Sequence, residues 1–117
     1  MVKLVCKDKN MILGEKVFIA SSFFERLKGL MFDDKLGKDF DGMLIKHCNS
    51  IHTFFMNYEI DVLFLNRNLE VIKILREIKP WRITKMYFSA SQVLELKGGS
   101  LSSKIAEGDL LEEVCIN

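Results

Sequence analysis

The stretch from His47 to Asp61, HCNSIHTFFMNYEID, places a thiol, two imidazoles and two carboxylates inside an otherwise apolar run. A thiol activated by an imidazole would give a cysteine hydrolase, and an imidazole oriented by a carboxylate would give a general base. Cys48 and His52 would stand about 13 Å apart along an extended strand, which is too far for a hydrogen bond. We therefore interpret Cys48 as a small buried thiol.

The second pairing, His52 with Asp61, depends on the turn between them. If HTFFM and IDVLF form a hairpin, a three-residue loop keeps His52 and Asp61 on opposite faces, whereas a two- or four-residue loop brings them onto one face. A buried carboxylate must be hydrogen-bonded or ion-paired. The structural interpretation of Asp61 is therefore that it accepts backbone N–H groups or pairs with Arg26. The sequence leaves these arrangements open.

Glu95 raises the same question. It stands between Leu94 and Leu96, so the alternation of a strand points it away from their face. If both faces of the sheet are covered, Glu95 needs a partner such as Arg26, whose guanidinium can bind a carboxylate with two hydrogen bonds. We predict a structural ion pair between Arg26 and one of the two carboxylates, Asp61 or Glu95.

Two functional hypotheses follow from these residues. The preferred one is a binding module with a polar and aromatic cleft for a small ligand, a peptide or a protein partner. Its candidate ligand-binding residues are Arg26, Asn49, His52, Thr53, Asp61, Trp81 and Glu95. The alternative is a hydrolase-like enzyme in which His52 is the general base and Asp61 orients it. We expect no cofactor, and no metal site, because the spacing of His, Cys and acidic residues matches no standard zinc or iron pattern.

The elements that must position these residues are mostly strands. Strand-like runs are VKLVC, KVFIA, GMLIK, SIHTFFM, IDVLFLN, LEVIKIL, SQVLEL and DLLEEVCI. IDVLFLN is apolar on both faces, which predicts a central strand covered on both sides. Two segments predict short helices: SSFFERLKGLMF, where Ser22 and Glu25 form a capping box, and SLSSKIAEGD. We predict an α+β, mainly β fold with a curled, largely antiparallel, barrel-like sheet and two short helices.

Composition limits the classes of function. The chain has 117 residues, of which 49% are hydrophobic and only one is proline, so we predict a single domain over residues 1–117. Seventeen basic against sixteen acidic residues give a net charge of +1, which argues against nucleic acid or an anionic membrane as a partner. The three scattered cysteines and the lack of a long apolar run predict a cytoplasmic protein with no membrane insertion. We expect a monomer or a weak dimer.

Six sequence blocks occur in an order that is typical of one family. They are ERLKGLM (25–31), DGMLI (41–45), SIHTFFMNYEIDVLFLN (50–66), KPWR (79–82), VLELKGG (93–99) and EGD (107–109). In this order they resemble domain-of-unknown-function family 192, over most of the chain. The resemblance implies a compact domain with a curled, largely antiparallel sheet and short helices. It implies no reaction, because the family is biochemically uncharacterised and has both exported and non-exported members.

The resemblance also marks individual positions. Those that match the polar motif residues of the family are Arg26, His52, Thr53, Asp61 and Glu95. Two positions depart from the pattern: Glu59 stands where proline is frequent before Ile-Asp, and Lys97-Gly98 stands where Pro-Ala is frequent. The first departure loosens the turn that decides whether His52 and Asp61 share a face.

Overall fold

A seven-stranded sheet with one short α-helix forms the molecule, and the computed structural model describes residues 1–116. In chain order the elements are β1 (Val2–Cys6), β2 (Met11–Ala20), α1 (Phe23–Lys28), β3 (Gly42–Lys46), β4 (Ile60–Leu65), β5 (Val71–Ile78), β6 (Gln92–Lys97) and β7 (Glu112–Cys115). A single 3-10 turn, Lys7–Lys9, follows β1. The strand order is β5-β4-β6-β3-β2-β1-β7, and every neighbouring pair is antiparallel except β2 with β3. The prediction of a single compact, mainly β domain is confirmed.

The sheet is covered on both faces, and β4 shows this most clearly, because all six of its residues are buried. Val62 and Phe64 point into one apolar cluster, and Leu63 and Leu65 point into the other. We call these two sides the Phe64 face and the Leu63 face. The double burial confirms the prediction that IDVLFLN is a central strand, and it means that a polar side chain on this strand loses contact with water on either face.

The predicted barrel-like closure is wrong, because the sheet is open and has β5 and β7 as its edges. Near the start of these two strands the chain is joined by an isolated bridge between Glu70 and Leu110. Three backbone hydrogen bonds flank this bridge: from Val71 N–H to the Asp109 carbonyl, from Gly108 N–H to the Val71 carbonyl and from Leu111 N–H to the Leu69 carbonyl, at 2.8, 2.8 and 2.9 Å. β7 has four residues, which pair with β1. The ladder that would close the sheet therefore does not form.

The first predicted helix is confirmed, but it packs less than its pattern indicates. Ser22 Oγ accepts the Glu25 N–H at 3.2 Å, and Glu25 Oε1 accepts the Ser22 N–H at 3.1 Å, which is the expected capping box. No residue of α1 itself is buried, and Phe23 and Leu27 are exposed. Among residues 1–116 no helix is long and apolar enough to cross a membrane.

The second predicted helix is wrong, because the segment SLSSKIAEGD forms turns. Ser102 Oγ accepts the Lys104 N–H at 3.1 Å, and Asp109 Oδ2 accepts the Ala106 N–H at 2.8 Å. Short polar side chains that bond to nearby backbone groups compete with helix formation, and here they satisfy the backbone within turns. The described part of the chain therefore has one α-helix and not two.

The predicted strand SIHTFFM is also wrong, because residues 50–59 form a loop. Thr53 holds this loop against another segment: its hydroxyl accepts the Arg82 N–H at 2.8 Å and donates to the Lys79 carbonyl at 2.7 Å. Phe55 has a φ of 62°, a left-handed conformation that an extended strand does not contain. The expected hairpin with β4 is therefore absent from this structure.

Asp61 is a buried structural acceptor. Its side chain lies on the Leu63 face and is 1% exposed. A bulge separates Ile60 from Val62 in the pairing of β4 with β5. At this bulge Asp61 Oδ1 accepts the Glu77 N–H at 2.8 Å, and Oδ2 accepts the Leu101 N–H at 3.0 Å. The interpretation of Asp61 as a backbone acceptor is confirmed, and its carboxylate ties two further segments to β4.

We expect Asp61→Asn to lower the free energy of unfolding by about 2 to 4 kcal/mol, because the amide has one acceptor oxygen and leaves one buried N–H without a partner. Asp39→Asn, on an exposed loop, is the matched control and should change the stability by less than about 0.5 kcal/mol. Urea unfolding of the two variants measures the difference. Equal stability of both variants would contradict the anchoring role of Asp61.

Candidate functional site

A cleft of about 130 Å³ opens on the Phe64 face, between α1 and the loop that follows β3. Its polar lining residues are Arg26, Lys28, Cys48, Ser50, His52 and Glu95. Three of the candidate residues, Arg26, His52 and Glu95, thus come together although they are far apart in the sequence. We call this site the Glu95 cleft.

Glu95 forms the floor of the cleft. β6 lies between β4 and β3, and Glu95 pairs with Val62 on one side and with Met43 on the other. Alternation therefore directs the carboxyl to the Phe64 face, where it is 1% exposed. Burial raises the pKa of Glu95 to about 8. At neutral pH this group is mostly a neutral carboxylic acid, which can both donate and accept a hydrogen bond.

A glycine at the end of α1 leaves room beside this carboxyl. Gly29 ends the helix with a φ of 52° and a ψ of −129°, a conformation that is open to glycine and strained for other residues. A Cβ at this position would lie 3.8 Å from Glu95 Oε1. A longer side chain here would start directly above the carboxyl oxygen, so the glycine keeps this side of the cleft uncovered.

Arg26 lies in the last turn of α1 and contributes a positive charge to the cleft. Its Nη1 donates to the His47 carbonyl over a long 3.4 Å. The predicted ion pair of Arg26 with Asp61 or Glu95 is wrong: neither pair is among the salt bridges of residues 1–116. Asp61 lies on the other face of the sheet, and the short helix holds the guanidinium beside the His47 carbonyl instead.

Two buried side-chain atoms in residues 1–116 have no hydrogen-bond partner in the protein, and both belong to this cleft. They are Arg26 Nε and Glu95 Oε1. Buried polar groups in native proteins are nearly always hydrogen-bonded, so each exception requires an explanation. A donor, Arg26 Nε, and an acceptor, Glu95 Oε1, that both lack a partner at one cleft indicate a place where a polar ligand can bind.

Cys48 lines the cleft as a protonated thiol. Its Sγ donates to the Ser50 carbonyl at 3.0 Å. Burial raises the pKa of Cys48, and Glu95 raises it further once it is ionised, whereas the Ser50 contact and Arg26 oppose the shift. Since the thiolate is the reactive form, this environment disfavours a nucleophilic role.

His52 is held by local contacts rather than by a carboxylate. Its Nδ1 accepts the Phe54 N–H at 3.2 Å, and its ring stacks on Phe54 with the centroids 4.9 Å apart. The neutral imidazole then carries its proton on Nε2. The contact with Asp61 that the hydrolase hypothesis requires does not form, because that carboxylate is bonded to two backbone N–H groups on the Leu63 face. His52 lies in the loop of residues 50–59 and not in a strand beside β4.

The other candidate residues lie outside the cleft. Thr53 is 0% exposed and is bonded to backbone groups, so it cannot reach a ligand. Asn49 lines a neighbouring depression, and its carbonyl accepts the Tyr87 N–H at 2.9 Å. Trp81 is exposed and contacts Phe55 with the ring centroids 4.7 Å apart. The single cleft expected from the sequence is therefore divided into separate features.

Sequence reasoning missed several residues that shape the cleft. Lys28, Gly29, Ile45 and Ser50 line it but were not among the candidates. A signal existed for Gly29, because a glycine directly after a capped helix commonly ends that helix. No local signal identifies Ser50, whose position depends on how the loop folds over β6.

Comparison with known proteins agrees with the family resemblance. The family model DUF192, described as an uncharacterized ACR, matches residues 5–112. A UPF0127 protein of Pyrococcus horikoshii is 42% identical over 82 residues, which are 68% of this chain and 70% of that protein. A UPF0127 protein of Thermococcus sibiricus is 33% identical over 113 residues, which are 93% of this chain and 73% of that protein. The crystal structure of a protein of unknown function from Novosphingobium aromaticivorans is similar to this structure, with a TM-score of 0.77 at 22% sequence identity. The match covers 95% of this chain and 82% of the Novosphingobium chain. The two proteins therefore share a fold.

We expect the free energy of unfolding to fall as the pH rises from 4.5 to about 8, because the folded protein holds the Glu95 proton more tightly than the unfolded chain does. Below the unfolded pKa this stabilisation is fully present, and above the folded pKa it is lost. Glu95→Gln removes the titration, so over this range it should gain stability relative to the parent protein, on the order of a few kcal/mol. Glu107→Gln, at an exposed position, is the control. Urea unfolding at several pH values tests this, and parallel curves for parent and Glu95→Gln would contradict it.

We expect iodoacetamide to modify Cys48 at least about tenfold more slowly than Cys115 at pH 7.5, because the Cys48 thiol is half-buried and stays protonated. Cys6 is buried and should react slowest. Peptide mass spectrometry over time gives the three rates in one sample. If Cys48 reacted first, the protonated-thiol assignment would be wrong.

Proposed function

We propose that this chain, which belongs to the DUF192 family, is a small binding module whose Glu95 cleft holds a small anionic ligand. The observation that carries the proposal is the pair of buried atoms without a protein partner, Arg26 Nε and Glu95 Oε1, at one cleft. A ligand that supplies an acceptor to the first and a donor to the second would satisfy both groups.

The charges at the cleft favour an anion over a cation. The guanidinium of Arg26 is always charged, and the ammonium of Lys28 stands in the same wall. Glu95 is mostly neutral at pH 7, since burial raises its pKa to about 8, so it does not repel an anion strongly. A carboxylate is the natural partner of a guanidinium, because its two oxygens match the donor geometry.

The size of the cleft limits the ligand to a few heavy atoms. A volume of about 130 Å³ is far below the roughly 300 to 1,000 Å³ of pockets for drug-sized ligands. A short hydroxy acid such as glycolate has the required groups, with its carboxylate toward Arg26 and its hydroxyl toward Glu95.

The hydrolase-like alternative has no support from the geometry. It needs a carboxylate to orient His52, and the Asp61 carboxylate is bonded on the opposite face. It also needs an activated nucleophile, whereas the environment of Cys48 favours the protonated thiol. Among the two hypotheses, the binding module is therefore the one that we retain.

Two expectations about the setting accompany this proposal. Cys6, Cys48 and Cys115 are free, which suits a reducing, cytoplasmic compartment. We also retain the expectation of a monomer or a weak dimer. Size-exclusion chromatography with light scattering measures the second property directly.

The proposal is tested by titrating the ¹⁵N-labelled protein with glycolate, acetate and lactate, and with methylammonium as a cationic counterpart. We expect the carboxylates to shift the amide signals around the cleft, above all that of Gly29, and methylammonium to leave them unchanged. Arg26→Met should weaken glycolate binding by roughly tenfold or more, because a charge-assisted hydrogen bond is lost. Arg67→Met, at an exposed position away from the cleft lining, is the matched control and should bind like the parent.

Three outcomes would overturn the proposal. The first is that none of the carboxylates shifts the signals at the cleft. The second is equal affinity of the Arg26→Met and Arg67→Met variants. The third is a crystal structure, grown with glycolate, in which the cleft holds ordered water only.

A further inference from the structure

A cluster of aromatic rings lies at the surface outside the Glu95 cleft. Phe55 stacks on Phe32 with the ring centroids 4.9 Å apart and contacts Trp81 at 4.7 Å, and Phe54 lies 5.8 Å from Trp81. The segment from Trp81 to Phe88, whose backbone is hydrogen-bonded to residues 49–53, carries further exposed apolar side chains. Its most exposed apolar members are Trp81, Ile83, Met86 and Phe88, at 56%, 73%, 54% and 83% exposure. We call these residues, together with Phe32, Phe54 and Phe55, the aromatic patch.

The backbone holds these rings outward at a cost in conformational energy. Phe32, Phe55 and Trp81 all have positive φ values, of 56°, 62° and 64°. Bulky residues rarely adopt this left-handed conformation, and it persists only where surrounding contacts enforce it. Here the Phe32 N–H donates to the Phe55 carbonyl at 3.0 Å, and the Trp81 N–H donates to the Thr53 carbonyl at 3.0 Å. Three exposed residues with a strained backbone are thus joined by contacts of their rings. The rest of the fold must stabilise this arrangement, so we interpret it as a specific feature of the structure.

The segment from Lys79 to Ser91 carries a local positive charge that the net charge of the chain conceals. Lys79, Arg82 and Lys85 lie on the same segment and are exposed. The sequence from Lys79 to Ser91 contains no acidic residue. The near-neutral total of +1 led to the expectation that the protein does not attract an anionic membrane, but a charge total says nothing about clustering. This segment is locally cationic, so its partner is expected to be anionic.

The shape and chemistry of the patch favour a lipid surface among anionic partners. Phe32 lines a cavity of about 210 Å³ beside α1. The four most exposed apolar residues on the segment from Trp81 to Phe88 line neither this cavity nor the Glu95 cleft, so this part of the patch projects instead of forming a groove for a peptide. Single-stranded nucleic acid needs free ring faces for stacking. Here Phe54 and Phe55 each contact Trp81, and Phe32 stacks on Phe55. Ile83 and Met86 have no ring, so Phe88 is the one ring of the patch outside these contacts.

We propose that the aromatic patch docks the protein peripherally on an anionic lipid surface. Tryptophan and phenylalanine side chains partition to the level of the headgroups, and neighbouring lysine and arginine side chains are attracted to anionic lipids. The interaction is peripheral and requires no membrane-spanning helix. It does not depend on the ligand of the Glu95 cleft, because the two features use different residues apart from the stacking of His52 on Phe54.

The chain contains a reporter for this contact, because Trp81 is its only tryptophan. The full-length protein is mixed with vesicles of phosphatidylcholine containing 30% phosphatidylglycerol, and with vesicles of pure phosphatidylcholine. We expect the Trp81 emission to shift to shorter wavelength and acrylamide quenching to decrease with the anionic vesicles only. The protein should sediment with these vesicles at low salt and be released as the salt concentration rises.

Charge-reversal variants distinguish the effect of the positive charges at the patch from the effect of the protein's net charge on vesicle binding. Arg82→Glu combined with Lys85→Glu should weaken vesicle binding by more than about tenfold. Lys7→Glu combined with Lys104→Glu has the same net charge and is the matched control. Lys7 forms an ion pair with Glu112, the first residue of β7. Lys104 lies in the segment that covers the Leu63 face, so neither lysine belongs to the aromatic patch. Phe88→Ser, with an unchanged circular dichroism spectrum, should weaken binding several-fold.

Four results would overturn this proposal. One is the absence of binding to the anionic vesicles at low salt. Another is an equal loss of binding in the two charge-reversal variants, which would show a general charge effect. A third is sedimentation without any change in Trp81 emission, which would place the contact on another surface. The last is equal or tighter binding to single-stranded oligonucleotides or to polyglutamate, which would make the partner a different polyanion.

Discussion

The central strands β4 and β6 are covered on both faces, so a polar side chain that they bury is removed from water and must find another partner. The two strands carry two acidic groups that meet this constraint differently. Asp61 points to the Leu63 face and accepts two backbone N–H groups, at 2.8 and 3.0 Å. Glu95 points to the Phe64 face, where its Oε1 has no partner in the described part of the chain. The first carboxylate stabilises the fold, and the second leaves a group available for binding.

The Phe64 face is the side of the sheet on which the candidate functions lie. The layer over this face is built from α1 and from two irregular segments, residues 50–59 and 79–91, which are joined by the hydroxyl of Thr53 and by backbone hydrogen bonds. Irregular segments have fewer repetitive hydrogen bonds, so they can hold side chains in positions that a strand does not allow. Phe55 and Trp81, both in the left-handed region, are examples. The proposed ligand cleft and the proposed membrane contact both come from this layer.

The packing of this layer determines which of the candidate residues lie close to one another. Arg26 and Glu95 meet at the cleft because the short helix ends above β6, with Gly29 allowing the approach. Thr53 contributes only by holding the loop, since it is completely buried. Trp81 belongs to the aromatic patch, and its role is separate from that of the cleft. The polar residues that share the family motif thus have different surroundings: Thr53 and Asp61 bond to backbone groups, whereas Arg26, His52 and Glu95 line the cleft.

Features that depend on contacts between near neighbours in the chain were predictable from the sequence. The capping box of Ser22 and Glu25 and the two-sided burial of β4 are of this kind, because helix caps and apolar runs act within a few residues. The orientation of Glu95 away from Leu94 and Leu96 also followed from the alternation of a strand. The family resemblance added Arg26 and His52 as positions of interest, without indicating what they contact.

The tertiary structure alone decided the rest, because it depends on contacts between distant segments. The hydroxyl of Thr53 bonds to residues 26 and 29 positions further along the chain, and this turns an expected strand into a loop. Asp61 bonds to a backbone group 40 residues away, which removes it from the reach of His52. Local pattern indicates how a residue is oriented within its own element, but the partner that it meets is determined by how the elements pack.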